Sequence, residues 1–317
     1  SGVKAGKTYS LLPENPNGDF TIVRNTTATR INSAGFIEEV AANTPRLNYL
    51  TVGGNPFLLD ETQSTNLAIN SSNLRTSSWL KAQGGVTVVL SSVLSPNQVD
   101  FAEILNVNGT NGGIWTRQKT YNSTQLQTSN SVFIKKLNTR YFAIRNAGSG
   151  GLHDVFDFDT ETFTNISANT LSFESFPNGW YRIKSTKTSS TANEFFSCFP
   201  AIDNSGVENI STARNVGVYI WGAQAEINSV VSSHIPTLVS AVTRNADVIT
   251  VTPPTETLKI TTTFSDNTTQ VLTTIPAVYT APEGVIKSII MSKAVVNMAS
   301  QNSFTLLSQN GDNLIFQ

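Results

Sequence analysis

The chain is poor in charge and in reactive side chains. Only 14% of its 317 residues are Asp, Glu, Lys or Arg, against roughly 25% in an average soluble protein. Its 21 basic and 22 acidic residues leave a formal charge of −1, and no run of Lys or Arg breaks the balance. A groove that tracks nucleic-acid phosphates needs such a run, so nucleic acid is not an expected partner. A single cysteine, Cys198, rules out an internal disulfide and a thiolate metal cluster. In "FFSCFP" it reads as apolar filler in a strand. The only histidines, His153 and His234, stand far apart and outside any ligand-spaced motif, which gives zinc no footing. No stretch approaches 18 apolar residues, so membrane insertion is not expected. The amino end also lacks the apolar run of a signal peptide.

Ser, Thr and Asn fill the polar positions, and β-branched alternation punctuated by Pro and Asn/Gly turns runs along most of the chain. That pattern predicts an all-β protein. Segments such as "GVTVVLSS", "VDFAEILNV", "NSVFIKKL", "RYFAIRN", "GWYRIKSTK", "NEFFSCFPA" and "VGVYIWGAQAEI" have the spacing of two antiparallel sheets. They predict a jelly-roll β-sandwich over residues 71–239. The segments 1–70 and 240–317 each hold too few strands to close a core. The expectation is that they pack together as one smaller, discontinuous β-rich unit. Within them "KITTTFSDNTTQVLTTI" is the clearest hairpin, turning at Asp266-Asn267. "SQNGD" marks a final hairpin, and "SSNLRTSSWL" is the one plausible short helix.

An all-β sandwich can bind sugars or cleave them. Cleavage needs two carboxylates facing across a cleft. The densest acidic stretch is "HDVFDFDTE", where alternation places Asp157 and Asp159 on one wet face and Phe156 and Phe158 on a dry one. It reads as a solvated strand edge. No cofactor is expected; the cation alternative is Ca2+ on Asp157, Asp159 and a turn carbonyl, although calcium asks for more oxygens at one point. No Ser-His-Asp order can be argued, and "GSGG" has neither the lysine nor the helix of a phosphate cradle.

Sugar binding asks for aromatic faces beside planar polar groups. Trp79 reads as a cover over the sandwich end and Trp180 as a core-rim residue under a loop. Trp115 follows an Asn/Gly loop, with Arg117 on its side of the strand. Tyr121, Tyr141 and Arg145 are the other ligand-binding candidates. Trp115, Arg117, Tyr141 and Arg145 form one set only if their strands are neighbours. In "VGVYIWGAQAE", Val218 and Ile220 take one face and Tyr219 and Trp221 the other. Both faces are apolar, so the strand reads as scaffold buried on two sides. Strict alternation puts Gln224 and Glu226 on the Gly222 face, away from the aromatics.

Several blocks resemble a family of bacteriophage and prophage structural proteins. They are "DFTIVRNTTATRINSAGFIEEVAANTPRLNY", "PFLLDETQSTNLAINSSNL", "SVFIKK", "FDFDTETFT", "FPNGWYRIKST", "GVYIWGAQAEINSVVSSHIPTLVSAVTRNADVITVT" and the trailing "ETLKITTTFSDNTTQVLTTIPAVYTAPEGVIKSIIMSK". That family carries a concanavalin A-like, carbohydrate-binding-module-like jelly roll in tail fibre or receptor-binding proteins. The resemblance implies a non-catalytic virion protein, made in the host cytoplasm, that recognises a host-surface glycan or receptor. It further implies other virion proteins as partners and a homotrimer, which would raise weak sugar affinity by avidity. The alternatives are a purely structural head or tail decoration protein, a polysaccharide depolymerase, and a cellular carbohydrate-binding module shed from a larger enzyme.

Overall fold

The structure is a computed structural model that describes residues 2–4, 7–9, 20–81, 85–110, 114–117, 126–147, 152–167, 169–189, 195–208, 214–292 and 311–315. At 2–4, 7–9, 114–117, 126, 146–147, 188–189, 195 and 311–315 the description is of the backbone. The chain is all-β and antiparallel. Among the described residues the one helical element is a 3-10 turn, Pro177–Gly179. "SSNLRTSSWL" is accordingly a chain of turns and no helix; four serines, Asn73 and Thr76 compete for the backbone that a helix would need.

Two compact units divide the chain, one from Ser64–Arg244 and one from Ser1–Gln63 with Asn245–Gln317. The division therefore falls a few residues outside 70/71 and 239/240. Ser64–Asn66 pairs with Val242–Arg244, and this short ladder belongs with the sandwich.

The sandwich consists of two six-stranded sheets. One has the order Val86–Leu94, Phe101–Gly109, Arg214–Glu226, Leu126–Lys136, Trp180–Ser189, Thr170–Phe176. The other has the order Thr162–Thr164, Asp154–Asp157, Tyr141–Ala147, Phe195–Ala201, Ile114–Arg117, Leu80–Lys81. The core between them is filled by alternate residues, among them Leu105, Val107, Val132, Ile134, Ile183, Val218, Ile220, Phe142, Ile144, Phe156, Phe196 and Cys198. Full burial pushes the Cys198 thiol up, as befits inert filler.

Arg214–Glu226 is buried on both faces over most of its length. Its alternation breaks at Gly222, which adopts φ +63°, and the pairing with Leu126–Lys136 shifts register at Ser131/Phe133. Before this bulge Val218 and Ile220 enter the core; after it Ala223 and Ala225 do. Gln224 consequently pairs with Ser131, and Trp221 with Phe133, on the same outer face. Strict alternation had placed Gln224 and Glu226 away from the aromatics; one extra residue in the bulge reverses that. A Cβ at position 222 would sit 2.9 Å from Phe133 Cδ2, so glycine answers both the left-handed φ and the close ring.

In the discontinuous unit, Val248–Val251 pairs antiparallel with Phe20–Val23. Gly284–Ser292 pairs with both Pro56–Asp60 and Lys259–Phe264. The hairpin Lys259–Phe264/Thr269–Leu272 forms as its sequence predicts, with Asn267 at φ +67°. The strand of the final hairpin, Gly311–Ile315, pairs with Gly284–Ser292, while most of "SQNGD" lies outside the described residues. Phe20, Ile22, Leu58, Ile249, Val251, Ile260, Ile286 and Ile289 make the core.

Beside this core lies a buried ion cluster. Asp247 accepts from Arg24 Nη1 at 2.7 Å and from Arg46 Nη2, and Arg46 Nη1 donates to Glu61 at 2.7 Å. Arg24, Arg46 and Asp247 are shut off from solvent. Asp60, 4% exposed, stands next to this cluster, and its Oδ2 has no hydrogen-bond partner among the described residues. Burial raises the Asp60 carboxyl to about 8; Asp247, Glu283 and Glu61 add to the rise and Arg46 opposes it. The unfolded carboxyl ionises near 3.8. Between those two values the folded chain keeps a proton that the unfolded chain has lost, so this group lowers stability as pH rises from about 4 to 8. Asp60→Asn should therefore stabilise the protein near pH 7 by about 1–4 kcal/mol. In urea titrations from pH 4 to 8, the gap between variant and wild type should widen with pH; a constant gap would refute the assignment.

Candidate functional site

Two stretches of chain cover the outer face of the Arg214–Glu226 sheet, and where they meet the segment 68–79, beside the start of Phe101–Gly109, a cleft opens. The first is 227–238. Glu226 accepts from Ser64 Oγ at 2.5 Å and from Ser232 N at 3.1 Å, Gln224 Oε1 accepts from Ile235 N at 2.7 Å, and Asn66 Nδ2 donates to Ile235 O at 2.8 Å. His234 packs on Trp221 at a ring separation of 4.7 Å and edge-on to Phe133 at 5.7 Å. Burial pushes its imidazole down to about 3, so it serves as a neutral ring in an aromatic stack. The blocks "TNL", "GAQAE" and "HIPT" thus meet as one hydrogen-bonded assembly.

The second stretch is the turn between Val86–Leu94 and Phe101–Gly109. Asn97 Oδ1 accepts from the Val99 and Asp100 amides, both at 2.9 Å, and Ser95 N donates to Asp100 O at 2.9 Å. The turn covers Trp180, whose Nε1 donates to Leu94 O at 3.2 Å. It also presents Asp100, whose Oδ2 accepts from Trp221 Nε1 at 3.2 Å and from Asn97 Nδ2 at 2.9 Å.

The segment 68–79 closes the third side. Thr237 Oγ1 donates to Ala68 O, Asn70 N donates to Leu238 O, and Ser71 N donates to Thr237 O. Trp79 is buried edge-on against Phe196 and donates to Ile69 O at 3.1 Å, which anchors the end of the segment as a sandwich cover. Glu103, fully buried, accepts from Leu74 N and from Arg75 Nε, each at 2.6 Å.

The result is a cleft of about 350 Å³, at the small end of the roughly 300–1,000 Å³ typical of small-molecule sites. Asn70, Ser72, Asn73, Arg75, Asp100 and Thr237 supply its polar lining, and Leu90, Val99, Phe101 and Leu238 its apolar wall. Phe101 is 49% exposed, and Val99 and Leu238 are each 78% exposed. Asn73 Oδ1 is buried without a hydrogen-bond partner among the described residues.

None of these residues was a sequence candidate. Phe101 has the same strand parity as Leu105 and Val107, which are fully buried, and so reads as core. Its strand continues beyond the last core row, where the same face opens into the cleft. The run Val99-Asp100-Phe101, two apolar residues around an acid just after the polar turn Pro96-Asn97-Gln98, is the signal that was available.

The sequence candidates lie on the other sheet. Phe195–Ala201 separates Ile114–Arg117 from Tyr141–Ala147. Trp115, Ser197 and Arg145 occupy one cross-strand row, and Arg117, Phe195 and Ala147 the next. The structure thus aligns Trp115 and Arg145, one strand apart, while the side chains of Trp115 and Arg117 lie outside its description. Tyr141 sits four residues from Arg145 along the strand, half-buried, in register with Ala201 and under the guanidinium of Arg140 at 5.1 Å. Tyr121 lies outside the described residues.

The cation alternative meets a different occupant. Asp157 takes a bidentate bond from Arg140 at 2.7–3.1 Å, and Asp159 takes Lys136. The Arg140 guanidinium holds the Asp157 carboxyl well below the usual carboxylate range. These oxygens face basic side chains, which sequence alternation could not reveal because Lys136 ends a strand of the opposite sheet and Arg140 lies in the link that crosses from it. Asp154 is fully buried and caps the turn at Ile166, Ser167 and Asn169, and Val155 is buried on the face predicted to be wet. No group of three metal-ligating side chains occurs among the described residues. His153 Nε2 lies 2.5 Å from Ser197 Oγ, but burial and Arg145 push its imidazole down to about 3, and Asp154 is engaged elsewhere. No helix among the described residues is long and apolar enough to cross a membrane.

No family model and no curated protein matches the chain. Solved structures do. The CBM22-1 and GH10 modules of endo-1,4-β-D-xylanase 10B from Clostridium thermocellum, solved with xylohexaose, align at 11% identity and a TM-score of 0.34, over 55% of this chain and 30% of that one. The CBM22-1 xylan-binding domain of Xyn10C from Paenibacillus barcinonensis aligns at 10% identity and 0.31, over 55% and 99%. The exo-β-1,3-galactanase of Phanerochaete chrysosporium aligns at 13% identity and 0.27, over 60% and 36%. At such identities and scores the likeness assigns no ligand to this chain.

Glu103 is the support of the cleft's floor. Glu103→Ala leaves the Leu74 amide without its acceptor and Arg75 without its anchor, which should cost about 2–3 kcal/mol. Denaturant unfolding checks the loss, and amide exchange at Leu74 should rise with it. A variant within about 0.5 kcal/mol of wild type contradicts the anchoring role.

Proposed function

We propose that this protein is a non-catalytic glycan-binding protein and that the cleft of the sandwich unit is its binding site. The observation that carries the reading is Phe101, half-exposed in a cleft it shares with Asn73, Arg75 and Asp100. A sugar ring has one face of C–H groups and a rim of hydroxyls. An aromatic ring flanked by aliphatic side chains takes the first, and amide, carboxylate and guanidinium groups take the second. The shallow wall suits modest affinity, which several copies in one assembly would multiply. The block resemblance supports a virion setting for such a module, as a fibre or receptor-binding component, and a trimer fits that geometry of attachment.

A second reading rests on Val99 and Leu238. Side chains so exposed in an apolar wall also suit a protein partner, which would make the molecule a structural virion component. The depolymerase reading has less to draw on, since Asp154, Asp157, Asp159 and Glu103 are each bonded to a donor.

Glycan-array binding separates the first two. Phe101→Ala should weaken binding at least about tenfold and leave thermal unfolding within about 2 °C of wild type. Trp115→Ala serves as the control: loss with that variant alone moves the site to the row of Trp115, Ser197 and Arg145. Silence of the wild type across a broad array shifts the protein to the structural reading. Release of oligosaccharides from host capsule would overturn the non-catalytic assignment.

A further inference from the structure

The geometry points to a neutral, hydroxyl-rich sugar as the ligand of the cleft and to the rejection of acidic sugars; this rests on the glycan reading just given. The charges around the cleft are matched. Arg75 donates its Nε to the buried Glu103 at 2.6 Å. Lys81 directs its ammonium to the carbonyls of Arg75, Thr76 and Trp79 at 3.0–3.2 Å. Against these two cations stand two carboxylates, Glu103 and Asp100. No surplus positive charge remains to receive a uronate or a sialate.

The free hydrogen-bonding capacity is of the kind that hydroxyls satisfy. Asp100 Oδ2 is occupied by Asn97 and Trp221, while Oδ1 takes no hydrogen bond among the described residues. It can accept from sugar O–H groups. A sugar carboxylate offers it no proton and sets a like charge against it in a partly desolvated wall. The Arg75 Nη groups, which make no other bond among the described residues, can donate to hydroxyl or ring oxygens. Trp221 fixes Asp100 from behind, so the acceptor is already oriented before a ligand arrives.

The test is titration calorimetry on the full chain with xylohexaose, mannohexaose and cellohexaose as neutral probes and hexagalacturonate and hexamannuronate as acidic ones. Each is measured at about 0.05 and about 0.5 M NaCl. The expected result is that at least one neutral probe binds with an affinity that salt changes less than about twofold, and that the acidic probes bind at least about tenfold more weakly. Asp100→Asn should weaken the neutral probe about tenfold; Arg75→Gln gives a second readout of the same kind if the first variant misfolds. Acidic probes that bind more tightly, and lose affinity with salt, overturn the neutral assignment while leaving the glycan reading in place. Binding of neither class removes the glycan reading itself.

Discussion

The strand Arg214–Glu226 is buried on both faces, and the left-handed turn at Gly222 decides which residue faces where. Without the bulge, the row that continues Val218 and Ile220 inward would be Gly222, Gln224 and Glu226, and a glutamine and a glutamate would enter an apolar core. With it, Ala223 and Ala225 face inward, and Gln224 and Glu226 turn outward beside Trp221. There they meet the amides and hydroxyls of Ser64, Ser232 and Ile235. These bonds bring the chain to Thr237 and Leu238, while Trp221 holds Asp100 through its indole nitrogen. Two of the cleft's three sides therefore hang on the conformation of a single residue.

The other unit is organised by charge. Asp247 comes from the carboxy-terminal segment, whereas Arg24, Arg46 and Glu61 come from the amino-terminal one. Hydrophobic contact alone would tolerate several registers between two short, alternating segments. A carboxylate that must meet two buried guanidiniums tolerates one. Buried ion pairs are weak sources of net stability because desolvation offsets their attraction. Their value here is in register: a slipped pairing leaves an unpaired ion in a dry interior. Asp60 shows the cost of this arrangement, since a further carboxyl near the cluster can remain buried only by keeping its proton.

Much of this architecture is legible in the sequence. Period-two alternation predicts the strands of both sheets, the Asp266-Asn267 turn predicts its hairpin, and two apolar faces on "VYIW" predict burial on both sides. Alternation fails where one residue is inserted or where a strand outlasts its sheet. Gly222 is the first case and moves Gln224 and Glu226 across the sheet. Phe101 is the second and turns a core-parity aromatic into a surface one. Side-chain partners brought from the opposite sheet and the link to it are equally hidden: nothing in "DVFDFD" announces that Arg140 and Lys136 will occupy its carboxylates. The row of Trp115 and Arg145 depended on strand order, which sequence leaves open, and the intervening strand Phe195–Ala201 supplies it.

The way the carboxylates are used bears on what kind of protein this is. Glycoside cleavage requires one carboxyl to give a proton and a second to act as base or nucleophile, each with an oxygen open to substrate. At the cleft the two nearby carboxylates are Asp100 and Glu103. Both oxygens of Glu103 are taken, one by Leu74 N and one by Arg75 Nε, and bonds of that kind fix a loop. Of the two, Asp100 retains an unengaged oxygen, and on the proposed reading that acceptor beside an aromatic face orients a sugar hydroxyl. On the proposed reading the modest charge of the chain has the same root. A surface that recognises neutral hydroxyls works through amides, hydroxyls and a few oriented charges, and Ser, Thr and Asn in place of Lys and Glu are the composition such a surface needs.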